Sequence, residues 1–496
     1  MKKIVKSFPI LILVSLLITV LGLVKNIELS KIYGASNDLD VFYLANVYTI
    51  SVFNIISAAI TTVVIPEINN TDSQGNLKNY MFIINGIAFF TSILMVTSII
   101  LFPNIIGNFS KELQKLFVAI FLVLIIGQIS RIRSAVGIAI LQSNTNYILP
   151  RITDVLPVAL PVLALLLVNT VNLFVIAASI ALGYCLQTGV LLFYEKSKYS
   201  SYLFKSPKVE LKKVINPDTK ALLLSTIPII VSSAIFQFQV MLSNYFAGKF
   251  GKGIITIFNN TNQIVGVIQA IFILNIVGMF YPSIVKKIKK SVRDGVKETT
   301  KFIIITNVII ILVVWGYMAI GQEMIKFLFV RGQFNSFSGD LMYKFGFILI
   351  IVLPLDVVRD FCYRIYYSLG DTKKPMINSI QTVILNIVLL ICMKPMVGEF
   401  SIVFAPAIGT ALSMTSMLLR MKKDTLLIDI KKIFISYILV NILGFSMYSL
   451  LKNINYYSDN LLANLSIKIV IAILFVVICL FIVWMMTRLL RRRNVK

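Results

Sequence analysis

The sequence predicts an all-α polytopic membrane protein: about 14 transmembrane helices, forming two pseudo-symmetric six-helix lobes and a C-terminal pair. Three observations carry that expectation. Apolar segments near 20 residues recur along all 496 residues, and a helix of that length crosses the ~30 Å hydrocarbon core. Hydrophobic residues make up 58% of the chain and the mean hydropathy is +0.89, beyond the range of soluble domains. Lys and Arg collect in every second gap between the segments, as basic residues do when they fix topology. A lipid-facing β-barrel would instead show strands of about 10 alternating residues.

The first apolar run, after Met1, Lys2 and Lys3, imitates a secretory signal. No small-residue cleavage site follows it and the run continues to Val24, so it reads as an uncleaved first span. The spans fall near 8–27, 39–65, 79–103, 115–141, 149–168, 172–194, 220–246, 254–282, 302–328, 342–368, 376–393, 400–420, 431–451 and 463–487. The gap from Glu195 to Lys220 holds seven lysines, and Lys286 to Lys301 holds seven basic residues. Five more lie between Arg420 and Lys432, and Arg491, Arg492 and Arg493 close the tail. An even number of spans with both ends basic places both termini in the cytoplasm.

A repeat is visible in this layout. Gly34 follows the first span and Pro66 closes the second; Gly251 follows the seventh and Pro282 closes the eighth, with spacings of 32 and 31 residues. Six spans separate the copies, so the lobes share orientation about an axis along the membrane normal. The expected organisation is an N-lobe at 1–195, a basic cytoplasmic linker at 196–219, a C-lobe at 220–420 and the last two spans with their tail at 421–496.

Composition removes several classes of function. The chain has no histidine, which excludes His-based acid–base catalysis and His metal sites. No phosphate-binding GxxxxGK[ST] loop is present. Cys185, Cys362, Cys392 and Cys479 lie in apolar segments without metal-ligand spacing and read as small core hydrophobes. The net charge of +26 would suggest nucleic acid in a soluble protein, but here it follows membrane topology. No enzyme activity, cofactor, metal or nucleic-acid partner is expected.

Three stretches resemble one family. They are Gly-Leu-Val-Lys-Asn-Ile-Glu-Leu-Ser-Lys-Ile-Tyr-Gly at 22–34 with Asp-Val-Phe-Tyr-Leu-Ala at 40–45, Leu-Phe-Val-Arg-Gly-Gln-Phe at 328–334, and Tyr-Ser-Leu-Gly-Asp-Thr-Lys-Lys-Pro at 367–375. In order, spacing and span count the chain is similar to the MurJ/MviN lipid II flippases of the MOP exporter superfamily. The Gly-Asp-Thr-Lys-x-Pro core is the most specific of the three. The resemblance implies a V-shaped pair of lobes, as in MATE-like transporters, around a cavity for the sugar-diphosphate head of a polyprenyl lipid. Spans 13 and 14 would line a groove for its tail. It further implies a monomer in the bacterial cytoplasmic membrane that moves lipid II outward by alternating access for peptidoglycan synthesis. The arginines that line the cavity in this family align with Thr19, Lys25, the Val52–Asn54 region and Gln263, so Lys25 is the cation retained.

Candidate substrate-binding residues follow from the residues themselves and from that alignment. Span 8 carries Asn259, Asn260, Thr261, Asn262 and Gln263 in succession. Five adjacent polar residues wrap all round a helix, so they read either as a sugar-binding wall or as helix–helix contacts. Gln237 and Asn46 add amides on spans 7 and 2. Lys25 and Asp40 form either an interfacial ion pair or, through Lys25, a phosphate contact, with Thr19 beside it on span 1. Arg131 and Arg133 on span 4 point about 200° apart, so at most one faces a cavity. Asp356, Arg359, Asp360 and Arg364 on span 10 form an alternating-charge ladder with a structural, gating or ion-relay role. Prolines 157, 161, 228, 354 and 406 lie inside spans and favour kinks.

Two alternative transport readings and one non-transport reading remain open: a Wzx-like flippase for a capsular or O-antigen repeat unit, a MATE-like cation-coupled exporter, and a scaffold without transport. Against the exporter, span 1 has no acidic residue before Glu28.

Overall fold

The computed structural model describes residues 2–67, 74–101, 109–167, 172–199, 216–453 and 461–493, and its regular structure is helical throughout. The chain forms two compact units, Met1–Asn260 and Thr261–Lys496. The first contains α1 (Lys2–Tyr33), α2 (Asn37–Glu67), α3 (Gln74–Leu101), α4 (Lys111–Ser143), α5 (Ile148–Thr153), α6 (Leu156–Leu167), α7 (Leu173–Tyr199) and α8 (Pro217–Phe250). Helix α9 (Ile254–Gln269) crosses the division. A π-helical turn at Ala270–Leu274 then leads to α10 (Asn275–Ile288), α11 (Val292–Phe329), α12 (Ser336–Ile350) and α13 (Leu353–Ser368). The second unit ends with α14 (Lys373–Val397), α15 (Ser401–Lys423), α16 (Ile430–Asn453) and α17 (Leu461–Arg493).

Among the described residues, twelve helical stretches are long and apolar enough to cross a membrane. One of them, Lys373–Lys423, is α14 and α15 in succession, and a shorter apolar helix, Leu462–Ile478, stands where the sequence predicts span 14. Each predicted span therefore has a helix at its place. Phe90, Leu167 and Phe193 are 65–78% exposed, the reverse of a soluble core. Lipid is the medium that removes the cost of that exposure.

Two of the predicted spans are broken rather than continuous. Span 5 is divided between α5 and α6 at Asp154–Val155, and span 10 between α12 and α13 at Ile351–Val352. Pro157 and Pro354 lie in the first turns that follow. There the missing N–H is harmless, while a helix running through from the preceding residues would lose a backbone bond and meet the proline ring. By contrast Pro282, expected to close span 8, sits inside α10, which continues to Ile288. Buried Ile284 and Ile288 hold the turn beyond it, so a single lost backbone bond does not end the helix.

In the first unit, α2 packs on α4 and α8, α4 on α7, and α1 on α5 and α6. Buried Phe117 and Phe121 stack at 5.5 Å between centroids, with Tyr48 of α2 edge-on to Phe117. Gly183 on α7 is required by contact: a Cβ there would lie 2.5 Å from Pro157 Cα of α6. The division at Asn260 falls beyond the basic linker expected at 196–219, of which residues 200–215 lie outside those described. The reason is packing: α8 lies against α2 and α3 and so joins the first unit.

The turn between α1 and α2 meets the turn between α8 and α9, the two positions of the predicted repeat. A Cβ on Gly253, whose φ is +82°, would fall 2.6 Å from both Ala35 Cβ and Ala35 O. Beside that contact Asp40 is 1% exposed and accepts from Gly253 N, Thr256 N and Thr256 Oγ1, each at 2.7 Å. A carboxylate from α2 thereby caps the first turn of α9, which has orphan N–H donors and the positive end of the helix dipole.

The second unit is built around α11, which packs on α10, α12, α13, α16 and α17. Val308, Ile311 and Leu312 bury against Val440 of α16, and Trp315 Nε1 donates to Asn441 Oδ1 at 3.0 Å. The Gly-Asp-Thr-Lys-x-Pro stretch is a helix-joining clamp. Asp371 accepts from the backbone N–H groups of Lys373 and Lys374 and so starts α14. Lys374 Nζ lies 3.3 Å from Asp371 and 2.7 Å from Asp424, and Tyr366 OH donates to the same Asp424 oxygen at 2.5 Å. Hydrogen bonds from Lys374 and Tyr366 hold the Asp424 carboxyl below its usual range.

Two outcomes follow. A carboxyl lowered in the folded state stabilises above its unfolded pKa, and the effect is lost as pH falls through the folded value. Asp424→Ala should therefore lower the melting temperature in detergent near neutral pH, with the gap from the parent protein narrowing under acid, measured by differential scanning fluorimetry. Asp40→Ala strands buried donors and should cost at least about 1–3 kcal/mol, whereas Asp40→Asn keeps an acceptor and should lose less. Equal stability of both variants and the parent would remove the capping role.

Candidate functional site

Hydrocarbon offers no partner to a polar side chain, so each polar group inside a span is satisfied by protein, by water or by a ligand. The candidate residues separate on that criterion. Lys25 on α1 is half-buried and, among the described residues, has no hydrogen-bond or ion-pair partner. Asp40 does not pair with it, since the carboxylate is directed at the start of α9. Asn46 on α2 has its Oδ1 buried without a hydrogen-bond partner. Thr19 donates to Ser15 O on its own helix at 2.8 Å.

The five consecutive polar residues of α9 divide by face. Asn260 is fully buried, donating to Ser30 Oγ at 2.7 Å and accepting from Tyr43 OH at 3.1 Å. It joins α9 to α1 and α2 as a helix–helix contact. Asn259 donates to Asn244 Oδ1 of α8 at 2.7 Å and to Ile255 O at 2.9 Å. Asn262 is exposed and Gln263 half-buried. Helical spacing puts Asn259, Asn262 and Gln263 on one face and turns Asn260 away from it. Gln237 on α8 is half-buried.

Arg131 donates to Gln128 Oε1 at 3.3 Å and lies over the Tyr184 ring of α7, 5.5 Å from its centroid. Arg133 is half-buried on another side of α4. In the second unit the ladder is partial. Arg359 pairs with Asp356 at 2.8 Å and with Asp360 at 3.3 Å. Arg364 leaves the ladder and lies over Tyr281, 5.1 Å from the ring centroid.

Two constellations were not among the expected site residues. In the first unit Arg151 of α5 donates to Ser15 Oγ at 3.0 Å and to Asp154 Oδ2 at 3.1 Å, while Asp154 Oδ1 accepts from Gln187 Nε2 at 2.8 Å. In the second, buried Lys468 of α17 pairs with Glu323 of α11 at 2.6 Å. The available signal was charge inside an apolar window: Arg151 and Asp154 are i,i+3 neighbours directly after Pro150. Among the described residues no group of three or more His, Cys, Asp or Glu side chains could hold a metal ion. Amides, hydroxyls, one unpaired ammonium and guanidinium groups are suited to hold hydroxyls and phosphates.

Comparison with known proteins gives a consistent result. Residues 29–492 match the family model described as lipid II flippase MurJ. A probable lipid II flippase MurJ from Bdellovibrio bacteriovorus is 22% identical over 220 residues, which is 43% of this chain and 40% of that protein's length. Among solved structures, the inward closed conformation of a lipid II flippase MurJ has a TM-score of 0.82 at 17% identity, covering 98% of this chain and 99% of the other. An inward-facing MATE family multidrug transporter of the MOP superfamily has a TM-score of 0.59 at 16% identity, covering 82% and 95%. At these identities the structural likeness speaks for the fold, and it is the family model, matched over nearly the whole length, that shows this multi-pass membrane protein to be a member of the MurJ family.

Proposed function

We propose that the chain is a flippase that moves lipid II, a polyprenyl-diphosphate-linked saccharide, from the inner to the outer leaflet of the bacterial cytoplasmic membrane by alternating access. The observation that carries this reading is the family match over residues 29–492. The greater likeness and coverage of the MurJ fold than of the MATE fold support it over drug export. The groups in the spans support translocation without covalent chemistry. Both termini lie in the cytoplasm on this reading, and the chain works as a monomer without a cofactor.

Lys25 is the phosphate contact in this scheme. A charge at the bilayer centre costs about 2.5–3.5 kcal/mol on insertion scales and less near the end of a span, where Lys25 stands; it bears its charge without a protein partner among the described residues. A diphosphate supplies the missing partner. Exposed Asn262, beside Gln263 on α9, offers an amide to sugar hydroxyls, since an amide both donates and accepts. Asp356 and Asp360 share the single cation Arg359, a partly compensated set that suits a hinge beside the α12–α13 break.

Expression of the gene in bacteria depleted of their own lipid II flippase should restore growth and outer-leaflet exposure of lipid II. Failure of both, with the protein present in the membrane, would overturn the substrate assignment. In the same assay Lys25→Ala should lower flipping about 10- to 100-fold, the equivalent of one desolvated charged hydrogen bond of ~1.5–3 kcal/mol, and Lys25→Arg should keep most of it. Reporter fusions at Ser291 and Thr425 should read cytoplasmic and at Asn335 external; the opposite pattern would invert the topology.

A further inference from the structure

Resting on that functional reading, we propose that Arg151 is a second phosphate-binding residue, delivering from α5 the cation that α1 lacks at Thr19. The argument begins with how the guanidinium is held. Nε donates to Ser15 Oγ of α1 at 3.0 Å, and Nη1 donates to Asp154 Oδ2 at 3.1 Å. Asp154 is itself steadied by Gln187 of α7 at 2.8 Å. Ser15 of α1 and Asp154 at the α5–α6 break thus fix the plane of one side chain, and Gln187 of α7 holds Asp154.

The pattern differs from a self-sufficient ion pair. A guanidinium that neutralises a carboxylate frequently presents two parallel N–H groups to it. Here Asp154 takes one, and a neutral hydroxyl takes another. Of the five N–H donors, three remain, and Nη2 makes no hydrogen bond among the described residues. The side chain is 40% exposed, so this edge is open. A permanently charged, planar fork with a free edge is the group that binds phosphate bidentately.

Its position fits the vacancy on α1. Ser15 and Thr19 are i,i+4 neighbours on one face of α1, linked by the Thr19 Oγ1–Ser15 O hydrogen bond of 2.8 Å. The Arg151 guanidinium, bonded to Ser15, therefore lies within about one helical turn of the side chain at 19. Ser15 and Lys25 are ten residues apart, about 15 Å along the helix. The two cations stand at two levels along α1, Arg151 towards its N-terminal half and Lys25 towards its C-terminal half. A diphosphate that leaves one level meets a cation at the other. Asp154 and Gln187 are positioning residues, orienting the guanidinium without touching the ligand.

The phosphate could belong to a polyprenyl diphosphate or to a bulk phospholipid headgroup, and the experiment separates them. The full-length protein is placed in nanodiscs of phosphatidylcholine, with and without phosphatidylglycerol, and titrated with a saccharide-free polyprenyl diphosphate followed by native mass spectrometry. The parent protein should bind it, and phosphatidylglycerol should not compete at equal mole fraction. Arg151→Gln, which removes the charge and keeps an amide N–H, should weaken binding at least tenfold. Arg151→Lys keeps the charge without the fork and should weaken it several-fold, which provides the test if the glutamine variant does not fold. Adding Thr19→Arg to Arg151→Gln should recover at least half of the lost affinity on a logarithmic scale, an outcome that a purely structural role for Arg151 does not produce. Unchanged binding in the Arg151 variants, or no recovery with Thr19→Arg, would overturn the assignment while leaving the flippase reading in place. Equal loss of phosphatidylglycerol binding would reduce Arg151 to a headgroup contact and overturn it also. Absence of binding by the parent protein would instead sink the functional reading and this inference with it.

Discussion

Hydrocarbon cannot hydrogen-bond, and every other feature of this protein is arranged around that fact. The backbone answers it by folding into helices, which satisfy their own N–H and C=O groups within each segment. Side chains answer it by two routes. Most polar groups in the spans close on one another: Asn260 on Ser30 and Tyr43, Ser134 on Thr188 at 2.6 Å, Asn378 on Ser413 at 2.8 Å. A few do not, and these are where a ligand has physical reason to bind. Lys25 and the free edge of Arg151 are the clearest cases, because a stranded charge is dearer than a stranded amide.

The contact between the α1–α2 and α8–α9 turns gives the first unit its internal order. Asp40 ties α2 to the first turn of α9, and Gly253 allows the two turns to approach within side-chain distance. Asn260, one turn further along α9, extends the same seam to α1. A polar seam of this kind aligns helices where hydrophobic contact alone is weakly directional, since lipid tails compete equally for apolar surface. In the second unit the Lys374–Asp424–Tyr366 clamp plays the comparable part for α13, α14 and α15.

In the proposed scheme the change from arginine at the aligned positions acquires a physical sense. Phosphate recognition requires a cation at the right place, and the helix that supplies it is secondary. Thr19 leaves its place on α1 uncharged, while Arg151 arrives at the neighbouring Ser15 from α5. The break at Asp154–Val155 lets a charged residue stand at the end of a six-residue helix, with Asp154 turned towards α7.

By itself the sequence determined the fold class, the place of each span, the alternation of basic gaps and the family, because these depend on local quantities: the length of apolar runs, the position of charges and short motifs. The same local rule located Lys25 and the polar run of α9 as residues in need of explanation. Only the tertiary structure decided which of them are used up internally. Asp40 and Lys25 look like a pair in sequence, yet Asp40 caps a helix more than two hundred residues away and Lys25 is left without a partner among the described residues. Asn259 and Asn260 are adjacent, yet one faces α8 and the other α1 and α2. Arg364 leaves its expected ladder for Tyr281 on α10. Arg151 gains its meaning from Ser15, on a helix far away in the chain. A hydrogen bond depends on a few ångströms of separation and on direction, and those are set by helix packing, which no stretch of sequence contains.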